Sequence, residues 1–482
     1  MSDAARIDQQ YVWHPFTPMR EWTAAENPPL VIARAEGAEL IDEEGNRYLD
    51  GNASIWTNVH GHGVEELTEA LTAQLRELAH CSALGLANAP AAYLAEALVQ
   101  ALGQSGGQRQ ASGGGSESRP LTAEGYKVFY SDDGSTAVEA GLKMMHQARV
   151  QRGESPQRSK LVSLGSSYHG DTIGAMSAGH SPLFHRTYKD LLFETEEVMR
   201  PVCYRCPYNR ARPEKGAEAR VTRRCHWECL DQLDEVLERE GESVSALVLE
   251  PRVQGPGGMA MMPDGYLKGA AQRCRDRGIW LMLDEVMTGF GRTGSLFACQ
   301  KEAVIPDVLA LGKGMTGGLF PMAATLASRE IYDAFLGDYE EMKTFFHGHS
   351  YTGNPLGAAL SRKNLERLQE RGLQEARQLG EWLDSAARSL WEVPHVGEVR
   401  REGTILAVEL VEDFASARPF PWQKRVGHHV CLAARAYGLI TRPIGDVLVL
   451  MPPLCATQEQ VEQAVRALAS AIRDVVPSQG TG

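Results

Sequence analysis

The sequence predicts an α/β fold built on a mainly parallel sheet with helices on both faces. Short apolar runs alternate with helical stretches along most of the chain, the pattern that consecutive βαβ units leave in a sequence. The runs are continuous, as suits strands buried on both faces. Several of them stop abruptly on polar clusters, and in an open α/β sheet the carboxyl ends of the strands are where ligands bind. At 482 residues the chain has room for two domains, or for one large domain with a smaller annex.

Candidate strands are 127–130, 160–163, 246–249, 280–283, 308–311 and 322–326, with helices expected over 137–151 and 265–277. The first strand leads into Ser131-Asp132-Asp133-Gly134-Ser135-Thr136, and the second into Ser167-Tyr168-His169-Gly170-Asp171. The third ends on Glu250, the fourth on Asp284-Glu285 and the fifth on Gly312-Lys313-Gly314. Five polar clusters on one edge of one sheet describe a site.

Its chemistry follows from the pair at its centre. A buried acid can hold a pyridine nitrogen protonated, and a strand-end lysine can condense with an aldehyde. Together they are what a pyridoxal phosphate enzyme requires. Gly134-Ser135-Thr136 opens a helix, whose free N–H groups and dipole suit a phosphate; N-capping by Ser135 or Thr136 explains the same residues without a ligand. Tyr168 has a flat face on which a pyridine ring can stack.

Gly312-Lys313-Gly314-Met315-Thr316-Gly317 also fits G-x-G-x-x-G, the pattern of a nicotinamide-dependent oxidoreductase, although a long cation would then occupy a tight phosphate turn. A P-loop is excluded, because Asp307 stands where its first glycine belongs.

Composition limits the function further. Hydrophobic residues make up 43% and charged residues 23%, an ordinary globular balance. The net charge of −13 argues against nucleic acid or an anionic membrane as partner. No apolar run approaches the length of a membrane span, and the polar N-terminus lacks a signal-peptide core, so a cytoplasmic location is expected. Of nine cysteines, Cys81, Cys274, Cys299, Cys431 and Cys455 are expected to be reduced core thiols. Cys203, Cys206, Cys225 and Cys229 cluster in an insertion spanning 200–230 and form a candidate metal site, with plain packing of thiols as the alternative. The Gly/Ser-rich segment 103–120 is expected to be a mobile surface loop, and the tail 477–482 to fray.

With these residues assigned, the chain resembles the class III, fold-type I, pyridoxal-phosphate-dependent aminotransferases over nearly its whole length. The resemblance rests on Tyr168-His169-Gly170-Asp171-Thr172, Asp284-Glu285 with Gly289-Phe290-Gly291-Arg292-Thr293-Gly294, Gly312 to Gly318, and His347 to Pro355. Trp13-His14-Pro15-Phe16-Thr17-Pro18-Met19 and Thr441-Arg442-Pro443 resemble the biotin-synthesis branch, which converts 8-amino-7-oxononanoate to 7,8-diaminononanoate. Another ω-amino-acid aminotransferase is the alternative within the family.

The resemblance implies a homodimer with shared sites. It implies a large cofactor-binding domain over 81–345 and a smaller domain made from 1–80 and 346–482. Lys313, Asp284 and Tyr168 would be catalytic. Gly134 and Ser135 would hold the phosphate, joined by Ser350 from the neighbouring subunit, with His349 beside it. Phe16, Ile55, Trp56, Arg292, Gly348 and Arg442 would line the substrate site together with Tyr168 and Lys313. The resemblance implies S-adenosylmethionine as amino donor. However, Phe16 replaces a tyrosine and Ile55-Trp56 replaces paired tryptophans, and both changes, with His349-Ser350, are similar to a version that uses L-lysine.

Overall fold

A computed structural model describes residues 1–104 and 123–476. Most of the expected loop 103–120 and the whole tail 477–482 therefore lie outside the described residues.

The centre is a seven-stranded sheet in the order Lys127–Ser131, Ala323–Ala327, Val308–Leu311, Trp280–Asp284, Val244–Leu249, Lys160–Leu164, Glu196–Val198. Five of its strands form an unbroken parallel run from Val308–Leu311 to Glu196–Val198. Ala323–Ala327 runs antiparallel to both neighbours, so the last strand expected from the sequence is present but reversed. All five residues of Trp280–Asp284 are buried, and they alternate between two cores. Leu281 and Leu283 join one cluster, with helix Tyr266–Asp276. Trp280 and Met282 join the other, with helix Gly134–Gln151. Each fully buried side chain of this size contributes about 1.5–3 kcal/mol, so the register that delivers Asp284 to the sheet edge is strongly specified.

A second sheet joins the two ends of the chain. Strands Ile32–Glu36, Glu39–Asp42 and Arg47–Asp50 form a meander, and Leu439–Ile440 adds to it in parallel. A third sheet, in the order Val396–Glu402, Ile405–Leu410, Val447–Leu450, Pro443–Ile444, completes the C-terminal part.

Buried charges tie the 200–230 insertion and the large sheet to this C-terminal part. Glu402 accepts hydrogen bonds from Arg252 (3.0 Å), Arg220 (2.7 Å) and Lys301. Burial alone would raise its carboxyl, but the three cations hold it down at about 2. Because the folded value lies below the ordinary one, the unfolded chain takes up a proton here first. The stabilisation is complete above about pH 4.5 and fades as pH falls towards 2; the shift corresponds to about 3 kcal/mol. Glu402→Gln is expected to lower unfolding stability at pH 7 by about 3 kcal/mol. It should also flatten the acid limb of a urea-midpoint series from pH 7 to 3. An unchanged midpoint at pH 7 would refute this account.

The four clustered cysteines converge on one small cavity of about 20 Å³ beside Arg223 and Trp227. Burial pushes the thiols of Cys203 and Cys229 up to about 12, which keeps them protonated. Among the described residues no group of three or more His, Cys, Asp or Glu is arranged to hold a metal, so the candidate metal site gives way to packed thiols. Of the other five, Cys274, Cys299 and Cys431 are buried as expected, whereas Cys81 is half-buried and Cys455 exposed.

Candidate active site

The carboxyl edge of the large sheet borders a cavity of about 680 Å³. Gly134, Ser135, Tyr168, Asp284 and Lys313 all stand in its wall, with Glu250, His169 and Asp171. The five strand-end clusters therefore contribute to one site, as the sequence leads one to expect.

Asp284 is the last residue of its strand and is 5% exposed. Its Oδ1 accepts from the Val286 N–H (3.0 Å), and its Oδ2 pairs with His169 Nδ1 at 2.8 Å. Burial pulls the imidazole down, but the Asp284 carboxylate, with Glu250, outweighs it, so His169 is raised overall. His169 and Glu250 stand in strand-end clusters that the sequence points to, but the sequence assigns neither of them a role of its own. Their strand-end placement was the available signal; the pairing across 115 residues was not visible locally. Glu250 accepts from the N–H groups of Gly255 (2.8 Å) and Tyr168 (3.3 Å). Burial, with Asp284 adding to it, pushes its carboxyl up to about 7. Glu285 turns away from the cavity: its oxygens accept from the N–H groups of Ala298 (2.5 Å) and Cys299 (2.8 Å).

Lys313 has φ of +35° and begins a four-residue 3₁₀ turn. Loss of hydration lowers its ammonium group, against the pull of Asp284, Glu250 and Asp171. Its Nζ lies 5.5 Å from the centre of the Trp56 ring. The segment that follows returns as the antiparallel strand Ala323–Ala327 and opens no long helix. The G-x-G-x-x-G match thus lacks the βαβ unit a dinucleotide site needs, and the oxidoreductase alternative falls.

At the start of helix Gly134–Gln151 the cap is Asp133, whose side chain accepts from the Thr136 N–H at 3.0 Å. This removes the alternative in which Ser135 or Thr136 caps the helix. The Ser135 hydroxyl is occupied instead by the next loop: it accepts from the N–H groups of Asp171 and Thr172, both at 3.0 Å, and donates to Thr172 Oγ1. The N–H groups of Gly134 and Ser135 have no hydrogen-bond partner among the described residues. A Cβ at Gly134 would lie 2.4 Å from Val286 Cγ1, so only glycine brings this backbone so close to the strand end.

Tyr168 donates to Asp171 Oδ2 (2.7 Å). Its ring meets Phe184 edge-on at 5.5 Å, and Phe184 in turn meets Phe16 at 5.6 Å. Phe16 is thereby brought towards the cavity through Phe184, a residue with no signature in the sequence. His349 pairs with Asp132 in the cavity wall at 2.9 Å. Gly348 and Ser350 are exposed. Arg442 is exposed and makes no hydrogen bond or ion pair among the described residues.

Arg292 departs from its expected role. It is 1% exposed and donates to the carbonyls of Asn58 (2.8 Å), Pro452 (3.2 Å) and Trp56 (3.3 Å). Burial brings the guanidinium down to about 10. Nη1 and Nη2 face backbone carbonyls, and Nε has no hydrogen-bond partner among the described residues; the side chain is not in the cavity wall. Ile55 and Trp56 belong to a run, Ala53 to Trp56, in which every residue has positive φ. Such a left-handed turn costs roughly 1–2 kcal/mol per residue.

The residues present fit pyridoxal phosphate. Two free N–H groups at a helix start suit the phosphate, and Tyr168 supplies a flat wall. The His169-oriented carboxylate of Asp284 suits a protonated ring nitrogen, and Lys313 suits the aldehyde. Fold and site together define a cofactor-dependent α/β enzyme with a strand-borne acid and lysine on one sheet edge.

The model of the family described as aminotransferase class-III matches residues 22–472. The chain is 46% identical over 470 residues to the adenosylmethionine-8-amino-7-oxononanoate aminotransferase of Geobacter sulfurreducens, covering 97% of each chain. The crystal structure of the enzyme of that name from Methanocaldococcus jannaschii superposes with a TM-score of 0.86 at 38% identity, over 98% of both chains. A thermostable (S)-enantioselective omega-transaminase from Thermomicrobium roseum gives the same TM-score at 32% identity, again over 98% of both. The chain belongs to the class III aminotransferases.

Proposed function

We propose that this chain is a pyridoxal-phosphate-dependent aminotransferase that converts 8-amino-7-oxononanoate to 7,8-diaminononanoate in biotin synthesis, in the cytoplasm. The observation that carries the chemistry is the Asp284–Lys313 pair in one cavity, with His169 2.8 Å from the acid. The relatives' names support the substrate. The cofactor, when bound, supplies the electron sink that lets an amino group pass between two carbon skeletons.

The protein's residues do the rest. Lys313, its charge weakened by loss of hydration, would hold the aldehyde and, once free, could move a proton through its Nζ. Asp284 would keep the ring nitrogen protonated, and His169 orients Asp284 at 2.8 Å. The N–H groups of Gly134 and Ser135 receive the phosphate, a role that falls to the Ser135 backbone because its hydroxyl is engaged. Tyr168, in the cavity wall, would offer its flat face to the ring. Arg442, exposed and without an ion-pair partner among the described residues, takes a substrate carboxylate through two parallel hydrogen bonds.

The working unit in this reading is a homodimer. Ser350 is exposed, and Leu84 (90%), Tyr339 (84%) and Phe346 (69%) leave large apolar surfaces that a second copy would cover.

The amino donor in this reading is S-adenosylmethionine, which the relatives' names support, with L-lysine as the alternative because Phe16 and Ile55 offer the larger donor fewer polar and aromatic partners. A half-reaction test separates them: each donor is offered alone to the holoenzyme, and loss of the visible absorbance of the lysine-bound cofactor is followed. One of the two is expected to discharge the band, and 8-amino-7-oxononanoate to restore it. Discharge only by ornithine, 4-aminobutyrate or a polyamine would move the protein to another ω-amino-acid aminotransferase.

A further inference from the structure

Ala53, Ser54, Ile55 and Trp56 have φ values of 46°, 49°, 61° and 68°, and the backbone bonds Trp56 N–H to Asn52 O (2.8 Å) and Thr57 N–H to Ala53 O (3.0 Å) close them into a left-handed turn. None of the four is glycine, and L-residues hold this conformation only where the surroundings impose it. Two clamps do so. At one end the Asp50 carboxylate accepts from the Ser54 N–H (2.9 Å) and hydroxyl (2.7 Å). At the other, Arg292 spans the carbonyls of Trp56 and Asn58.

Arg292 forms no ion pair among the described residues. A buried guanidinium that bonds only carbonyls contributes the rigid geometry of its donor fork rather than charge pairing. The clamped turn also presses on the lysine segment. Trp56 presents its ring to Lys313 Nζ at 5.5 Å, Thr57 stands in the cavity wall, and a Cβ at Gly318 would lie 2.7 Å from Asn58 Cα.

We infer that Arg292 is a positioning residue: it holds the left-handed turn in the register that sets Trp56 against Lys313 and fixes the substrate-side wall of the cavity. The inference rests on reading the cavity as a transaminase site. It differs from direct substrate binding by Arg292, because here the residue acts through the turn.

The test uses holoenzyme. Arg292→Met is expected to keep the cofactor absorbance, raise KM for the amino donor at least tenfold, and change kcat less than threefold. Amide exchange at Trp56, Thr57 and Asn58 should quicken at least tenfold, with strand Trp280–Asp284 unaffected. Arg292→Lys, which keeps the charge and loses the fork, should behave like Arg292→Met. Adding Ala53→Gly to Arg292→Met should recover at least threefold in KM, because glycine adopts positive φ without steric cost. Substrate contact by Arg292 itself predicts no such rescue, so a failed rescue, or normal KM in Arg292→Lys, overturns the inference. If Arg292→Met does not fold, Arg292→Lys decides the matter by exchange at the same three amides, and unchanged rates there sink the idea. A wild-type protein without transamination sinks the functional reading instead, whereas an active wild type with an unaltered Arg292→Met variant sinks this inference alone.

Discussion

Lys313→Ala is expected to abolish covalent capture of pyridoxal phosphate and to remove nearly all turnover. Lys313 combines two roles in this site, holding the aldehyde and moving the proton. Acid–base catalysis alone contributes roughly 10²–10⁴-fold, so the combined loss should exceed that range. Among the described residues no other lysine stands in the cavity wall with Asp284. Borohydride reduction followed by peptide mapping should place the label on Lys313, and a label elsewhere would remove the central assignment. The same variant tests the shared site. Mixed with Ser350→Ala subunits, it should form hybrid dimers with one intact site each, provided that Ser350 serves the neighbouring subunit. Mixtures without recovered activity would count against a shared phosphate site.

Asp284→Asn should leave a folded protein that still binds the cofactor but transaminates slowly. The substitution preserves shape and removes the charge that keeps the ring nitrogen protonated. It also leaves His169 facing an amide where the carboxylate accepted its hydrogen bond at 2.8 Å. Breaking one side of a buried charged pair costs about 3–5 kcal/mol, and each 1.36 kcal/mol is tenfold in rate, so single-turnover rates should fall by about two to four orders of magnitude. A near-normal rate would transfer the role to another acid. Of the two strand-end glutamates, Glu285 is already committed to the Ala298 and Cys299 N–H groups, which makes Glu250 the candidate.

Much of the fold was legible because its signals are local. An apolar run of strand length that stops on a carboxylate predicts both the buried strand Trp280–Asp284 and the placing of Asp284 at its end. The same argument placed Lys313, Glu250 and the Gly134 helix start. The alternatives that the structure removes were equally local. The G-x-G-x-x-G string matched a motif whose meaning depends on a following helix, and the chain supplies a 3₁₀ turn and a reversed strand instead. The cysteine spacing left room for a metal, yet among the described residues no group of three or more His, Cys, Asp or Glu is arranged to hold one.

By itself, then, the sequence determined the sheet, the edge on which the polar strand ends stand, and the gathering of Lys313, Asp284 and the Gly134 helix start in one cavity wall, because periodicity and strand ends are properties of neighbouring residues. Tertiary structure alone decided how those residues are used. It joined His169 to Asp284 across 115 positions and occupied the Ser135 hydroxyl with the Asp171–Thr172 backbone. It brought Phe16 towards Tyr168 through Phe184, and it turned Arg292 from an expected substrate ligand into the clamp of a left-handed turn. Each of these depends on side-chain direction and on which distant groups burial forces together, and no spacing along the chain encodes that.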